Sequence, residues 1–185
     1  MRSTKTNGWL VAGVAALLAA VATGCGSGQE TGAVPEGWGT LKTASVTVAR
    51  PPSFTEQSDT ERSKHNAAAA TLSEGGKPVG MITVQLDFTE ADSAEEAAIG
   101  AEAGIALGST LKGQKEIQVV GPDGRQEARR IDFEFTEKGD RVAGVIVAGL
   151  DARKKAYAVR IDAVEGRLDD GDLKKIVESV TVLKG

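Results

Sequence analysis

Apolar and polar residues alternate along most of this chain. Across residues 79–88, Ile82, Val84, Leu86 and Phe88 fall on one side, and Thr83, Gln85 and Asp87 on the other. That is the two-residue period of a half-buried strand. Residues 128–136 repeat it, with Arg129, Ile131, Phe133 and Phe135 against Arg130, Asp132 and Glu134. Residues 141–150 carry Val142, Val145, Ile146 and Val147, the run expected of a central strand covered on both faces. Tyr157, Val159 and Ile161 then alternate with Ala158, Arg160 and Asp162. Turns at 138–140 and 151–154 join these three strands into an expected antiparallel meander.

Weaker signals fill the remainder. Residues 41–50 predict one opening strand, ended by Pro51 and Pro52, which have no N–H for a ladder. Residues 53–64 are polar and predict a loop or short helix. Residues 66–72 contain four alanines that favour a helix. Glu74-Gly75-Gly76-Lys77 nevertheless reads as a hairpin turn, so a strand is expected there. Residues 115–120 predict a short strand before the turn Gly121-Pro122-Asp123-Gly124.

Two segments change period to three or four residues. Ser93 with Glu96 has capping-box spacing, and Glu95 and Glu96 complement the dipole of a first turn. Ala94, Ala98, Ala101, Ile105, Gly108 and Leu111 follow as a stripe of small and apolar residues. They predict a helix over 93–112 stopped by Gly113 and lying close on a sheet. Asp169-Asp170-Gly171-Asp172 caps a second helix with Leu173, Ile176, Val177 and Val180 on its dry face, and residues 181–183 add a terminal strand. The expected fold class is α+β, a curved antiparallel sheet with helices packed on it.

This order of elements resembles the PsbP-like sandwich domain in the LpqN-type form of small bacterial lipoproteins. The residues that carry the likeness are Ser45-Val46-Thr47-Val48 before the prolines, the 79–88 strand, the alanine-rich 93–112 helix, the strands at 129–135, 142–147 and 157–161, and the closing 173–180 helix. It covers most of residues 40–185 and lies in element order, not in a fixed motif. The resemblance implies a protein-binding or assembly role, and it supplies no catalytic residues.

The N-terminus has its own pattern. Arg2 and Lys5 precede an apolar run over residues 9–22, short for a membrane span of roughly 20 residues but suited to an export signal. Ala22-Thr23-Gly24-Cys25 resembles the lipobox of bacterial lipoproteins, with Ala22 where that family usually has Leu, Val or Ile. The resemblance implies cleavage before Cys25, the chain's one cysteine, and lipid on its thiol. An uncleaved anchor or a free secreted cysteine are the other fates open to it. The expected organisation is therefore a signal peptide at 1–24, a lipidated flexible tether at 25–40 carrying Trp38, and one domain at 41–185, held at the extracytoplasmic face of the cell membrane.

Composition then narrows the function. Losing residues 1–24 removes Arg2 and Lys5, so the net charge of −4 becomes −6. An acidic domain argues against nucleic acid and against electrostatic attachment to lipid. His65 is the one histidine; in a polar stretch beside Lys64 and Asn66 it reads as a solvated loop residue, which leaves histidine or thiolate chemistry without its parts. The acids at 169–172 lack the Asp-x-Asp-x-Asp-Gly calcium loop and its closing Glu, and helix capping explains them better. Neither a dinucleotide fingerprint nor a phosphate loop is present. Arg129 and Arg130 point to opposite strand faces, one of them expected to pair with Asp132 or Glu134. The row Asp132/Glu134 set against Arg160/Asp162 mimics a glycosidase pair, although a charged outer sheet face accounts for it.

No catalytic or metal residue and no cofactor is expected, and Cys25 is the one assigned site, for lipid attachment. The expected function is a lipid-anchored binding or assembly module for an envelope protein, using a sheet edge or the helix-free sheet face. The alternative is a carrier of an apolar small molecule or lipid, held between helix 93–112 and the sheet where Ala98, Ala101, Gly104 and Gly108 offer close packing or a cavity. A hydrolase ranks last.

Overall fold

The computed structural model describes residues 32–185; Cys25 and the expected export signal lie outside them. Ten strands form a single sheet that curls until it is nearly a barrel. In chain order they are β1 (Gly39–Lys42), β2 (Val46–Arg50), β3 (Phe54–Glu56), β4 (Ala68–Glu74), β5 (Lys77–Leu86), β6 (Thr110–Gly121), β7 (Gly124–Glu137), β8 (Asp140–Leu150), β9 (Ala156–Val164) and β10 (Thr181–Val182). Helix α1 (Ala94–Glu102) lies between β5 and β6, and α2 (Asp170–Glu178) between β9 and β10. The spatial order is β1-β2-β10-β6-β7-β8-β9-β5-β4-β3. Pairing is antiparallel except between β10 and β6.

Two cores line the two faces. Inside the curl, Val145, Val147, Tyr157, Val159 and Ile161 meet Leu41, Val46, Val48, Phe54, Ile82 and Val84, and α2 closes one end with Ile176 and Val177. On the outer face, Ala97, Ala98 and Ala101 of α1 pack on Ile131, Phe133, Ile146, Ala148 and Ala158. β8 is buried from Gly144 to Gly149, as expected of a strand with a core on each side.

Several expectations need correction. Residues 41–50 form a hairpin of two strands, β1 and β2, because Thr43 turns the chain. Its Oγ1 accepts the Val46 N–H at 2.9 Å and donates to the Val46 carbonyl at 2.7 Å. Residues 53–64 are not all loop: the Pro51 carbonyl accepts the Phe54 N–H at 3.0 Å, and β3 carries Phe54 into the core at 1 % exposure. The helix expected over 93–112 ends at Glu102. Gly100, Gly104 and Gly108 lower its propensity, Gly108 turns the chain at φ +88°, and Leu107 and Leu111 are exposed. Gly113 is no helix stop; it sits in β6, beside the register shift between Leu111 and Gly113.

The domain also begins earlier than residue 41. β1 starts at Gly39, the Gly32 N–H donates to Thr181 Oγ1 at 2.7 Å, and the Lys175 ammonium lies 5.5 Å from the Trp38 ring centroid. At the far end of α2, Ser179 Oγ accepts the Ala49 N–H at 2.8 Å and donates to the Ile176 carbonyl at 2.7 Å. One hydroxyl thus ties the helix end to β2.

Tyr157 is fully buried opposite Gly149, and its hydroxyl has no hydrogen-bond partner among the described residues. Burial pushes its phenol far above the ordinary value. An unpaired buried hydroxyl costs free energy. Tyr157→Phe is therefore expected to stabilise the protein by about 1 kcal/mol, seen as a higher midpoint in urea at unchanged slope; a lower midpoint would show that the hydroxyl has a partner in solution.

Candidate functional site

β6 leaves the body of the protein for most of its length. Each residue from Thr110 to Glu116 is exposed, so both faces of this segment meet solvent. One long side pairs with β7, but on the other side β10 reaches β6 only at Val120, opposite Thr181. Alternate residues from Thr110 to Gln118 therefore turn their main-chain N–H and C=O groups outward with no strand beside them among the described residues. Exposed Leu111, with Leu107 just before it, adds apolar surface at the start of this edge. Lys112 and Lys115 are the kind of residue that keeps such an edge from pairing with copies of itself.

A cleft of about 520 Å³ runs beside the edge, between β6, β7 and α2. Ile117 and Val177 form its floor, and Lys115, Arg125, Arg130 and Lys174 outnumber its one carboxylate, Glu178. Arg130 is tied to Asp132 at 2.6 Å, and Lys174 lies 3.8 Å from Glu178. Among the described residues Lys115 and Arg125 have no carboxylate partner; the Arg125 guanidinium donates to the Gln118 carbonyl at 3.0 Å.

A second cluster lies beyond the end of α1. Arg160 Nε donates to Asp162 Oδ2 at 2.7 Å, while the guanidinium lies 5.0 Å from the Phe133 ring centroid and 5.9 Å from that of Phe135. The other oxygen, Asp162 Oδ1, is buried without a hydrogen-bond partner among the described residues. Burial raises the Asp162 carboxyl above its ordinary value, Arg160 pulls it down less strongly, and Glu137 adds to the rise. A notch of about 140 Å³ beside Asp162 is lined by Val79, Met81, Phe135 and Val142.

The folded protein thus binds the Asp162 proton more tightly than the unfolded chain does. The group's contribution is full at pH below its unfolded value and is lost as pH rises through the folded one. Asp162→Asn removes that loss. Its stability relative to the unmodified protein is expected to be higher at pH 7 than at pH 3, read from denaturation midpoints of both chains. An equal gap at the two pH values would show that Arg160 cancels the effect of burial, and a smaller gap at pH 7 that it outweighs it.

The residues that mimic a glycosidase pair are not brought together. Phe133, Gly144 and Asp162 share one register line across β7, β8 and β9, whereas Asp132 shares its line with Val145 and Ile161. Asp162 therefore faces the α1 side, and Asp132 and Glu134 face the other. Glu134 hydrogen-bonds Lys112 at 3.1 Å, and that bond chiefly holds its carboxyl below the usual range. Arg129 and Arg130 do point apart: Arg129 lies 3.4 Å from Glu127 and 3.8 Å from Glu95, and Arg130 pairs with Asp132. His65 is exposed in a loop, its N–H directed to Ser63 Oγ. Asp169 caps α2 by accepting the Gly171 N–H at 2.8 Å, and Asp172 pairs with Lys175 at 3.0 Å. The helix-to-sheet gap considered for an apolar cargo is closed along α1, where Ala97 and Ala98 are at 0 % exposure against the sheet; beyond the helix end a cavity of about 270 Å³ lies over Phe133, lined by Ile105, Leu107, Gly108 and Leu111. Cys25 lies outside the described residues. Among those residues no helix is long and apolar enough to cross a membrane.

Fold and site define a class: a single curled sheet with one helix on its outer face, one plugging its end, and an open strand edge. No family model and no curated protein matches the chain. Solved structures do. The Saccharomyces cerevisiae Ran-binding protein Mog1p is similar at a TM-score of 0.52 and 9% identity, over 77% of this chain and 95% of that one. The PsbP protein CyanoP of Synechocystis is a looser match, with a TM-score of 0.46, 11% identity, and 78% and 93% covered. A Bacteroides thetaiotaomicron protein matches at 0.47 and 10% identity over 79% of this chain, which spans about half, 49%, of that protein. At these identities the likeness is one of fold. At that level the expected architecture, a curved sheet with two packed helices, agrees with the Mog1p structure.

Proposed function

We propose that this protein is a non-enzymatic binding module, held by a lipid on Cys25 at the extracytoplasmic face of the cell membrane, which docks an envelope protein along the free edge of β6. The observation that carries the docking is the run Thr110–Glu116, exposed on both faces and, among the described residues, without a strand along its outer side. Adding a strand to such an edge satisfies main-chain groups that otherwise bind water. The anchor rests on the lipobox-like Ala22-Thr23-Gly24-Cys25 behind an apolar run, and the PsbP-like, lipoprotein-type resemblance points the same way. The close seating of α1 favours docking over the carrier reading.

A photo-crosslinking amino acid placed at Gln114, in the cells that make the protein, is expected to give one discrete adduct. The same probe at exposed His65 is expected to give none. Equal labelling from both positions, or none from Gln114, would remove β6 as the docking edge.

A further inference from the structure

We propose that the segment received by β6 is an acidic, extended stretch of the partner protein, whose carboxylates enter the cleft beside α2. This inference rests on the docking reading above and adds the chemistry of what docks. Its basis is a local reversal of charge. The whole chain carries −4, yet four cations and one carboxylate line this cleft. Two of the cations, Lys115 and Arg125, have no carboxylate of their own among the described residues, and Lys174 has only the loose, exposed contact with Glu178.

Strand geometry then sets the pattern of the incoming segment. Lys115 and Ile117 point to the same face of β6, the one shared with Arg130 and Ala128 across the ladder, while Gln114, Glu116 and Gln118 point to the other. A strand laid alongside presents alternate residues to each face. Toward the cleft it therefore needs an acid near Lys115 and an apolar residue near Ile117 and Val177, two positions apart. Toward the other face, Glu116 and its glutamine neighbours favour uncharged polar residues. A second copy of this chain does not meet those needs, because residues 110–118 of its β6 edge carry two lysines and one glutamate and bring no surplus of acid to the cleft.

The test uses the full chain in dodecyl maltoside micelles and three synthetic peptides, followed by calorimetry at low salt. Acetyl-Thr-Glu-Thr-Val-Thr-Glu-Thr-amide is expected to bind about tenfold more tightly than the same peptide with glutamine for glutamate, as two charge pairs supply. Lys115→Glu combined with Arg125→Glu is expected to erase that difference. Both positions are exposed or half-exposed, and an unchanged urea midpoint establishes that the variant folds. The third peptide keeps the glutamates but has every amide N-methylated, and it is expected not to bind. Equal binding of acidic and glutamine peptides overturns the acidic partner and leaves strand addition standing. Binding of the N-methylated peptide with full charge sensitivity overturns strand addition. No binding by any peptide, with dihexanoyl phosphatidylglycerol bound through Lys115 and Arg125 instead, assigns the cleft to lipid and overturns the proposal.

Discussion

Gly144→Val is expected to destabilise the protein by about 3 kcal/mol, read as a lower denaturation midpoint at unchanged slope. Gly144 stands opposite Phe133 in the β7–β8 ladder. A Cβ at residue 144 would meet the Phe133 ring at 2.3 Å and Asp162 Oδ1 at 2.7 Å, well inside the ~3.5 Å at which carbon atoms attract. The ring has nowhere to go: it is 1 % exposed, beneath α1, 6.1 Å from Phe135 and under Arg160. Forcing it out forfeits much of what Phe133→Ala alone removes, about 3–5 kcal/mol. The two changes should therefore not add. In the double variant the valine occupies the vacated space, and the cost is expected to fall short of the sum by about 1 kcal/mol or more. Strict additivity would mean that ring and glycine do not share that space. Tyr157 over Gly149 repeats the arrangement on the opposite face of β8, so one strand supplies a glycine seat for an aromatic ring to each core.

Under the proposed anchoring, Cys25→Ser is expected to move nearly all of the protein from the detergent phase to the aqueous phase in a cloud-point partition. A lipidated cysteine brings two acyl chains, each buried methylene contributing about 0.8 kcal/mol. The acidic chain offers no compensating attraction to anionic headgroups. The mass of the variant reports whether it keeps its leader. If it loses the leader and still follows the detergent, lipid on Cys25 is not the anchor. If it keeps the leader and follows the detergent, residues 9–22 alone hold it there.

The strands at 82–86, 131–135 and 157–161 could be read from the sequence because a buried face writes itself as alternation, and 142–147 because a core on each side leaves a continuous apolar run. β4 could be read despite its alanines because Gly75-Gly76 forces a hairpin, at φ +56° and +78°. The β1–β2 turn was hidden: Thr43-Ala44-Ser45 contains neither glycine nor proline, and one threonine hydroxyl makes the turn. The second half of the expected helix was misread for a different reason. Ile105, Gly108 and Leu111 continue the spacing of Ala98 and Ala101, but Leu111 belongs to a strand pair with Phe133, and no local pattern encodes a distant partner. The candidate site suffered most from this. An unpaired edge is a statement about what does not lie beside a strand, which depends on β10 arriving at Val120 and going no further. Asp162 was grouped with Asp132 because both lie in charged alternating runs; the register that sets Asp162 beside Phe133 separates them by one residue.

Among the described residues, the ladder that joins the hairpin of the first two strands to the rest of the sheet runs through β10. Those first strands therefore have no ladder to join until β10 has inserted between β2 and β6, so closing the sheet is a long-range step rather than a local one.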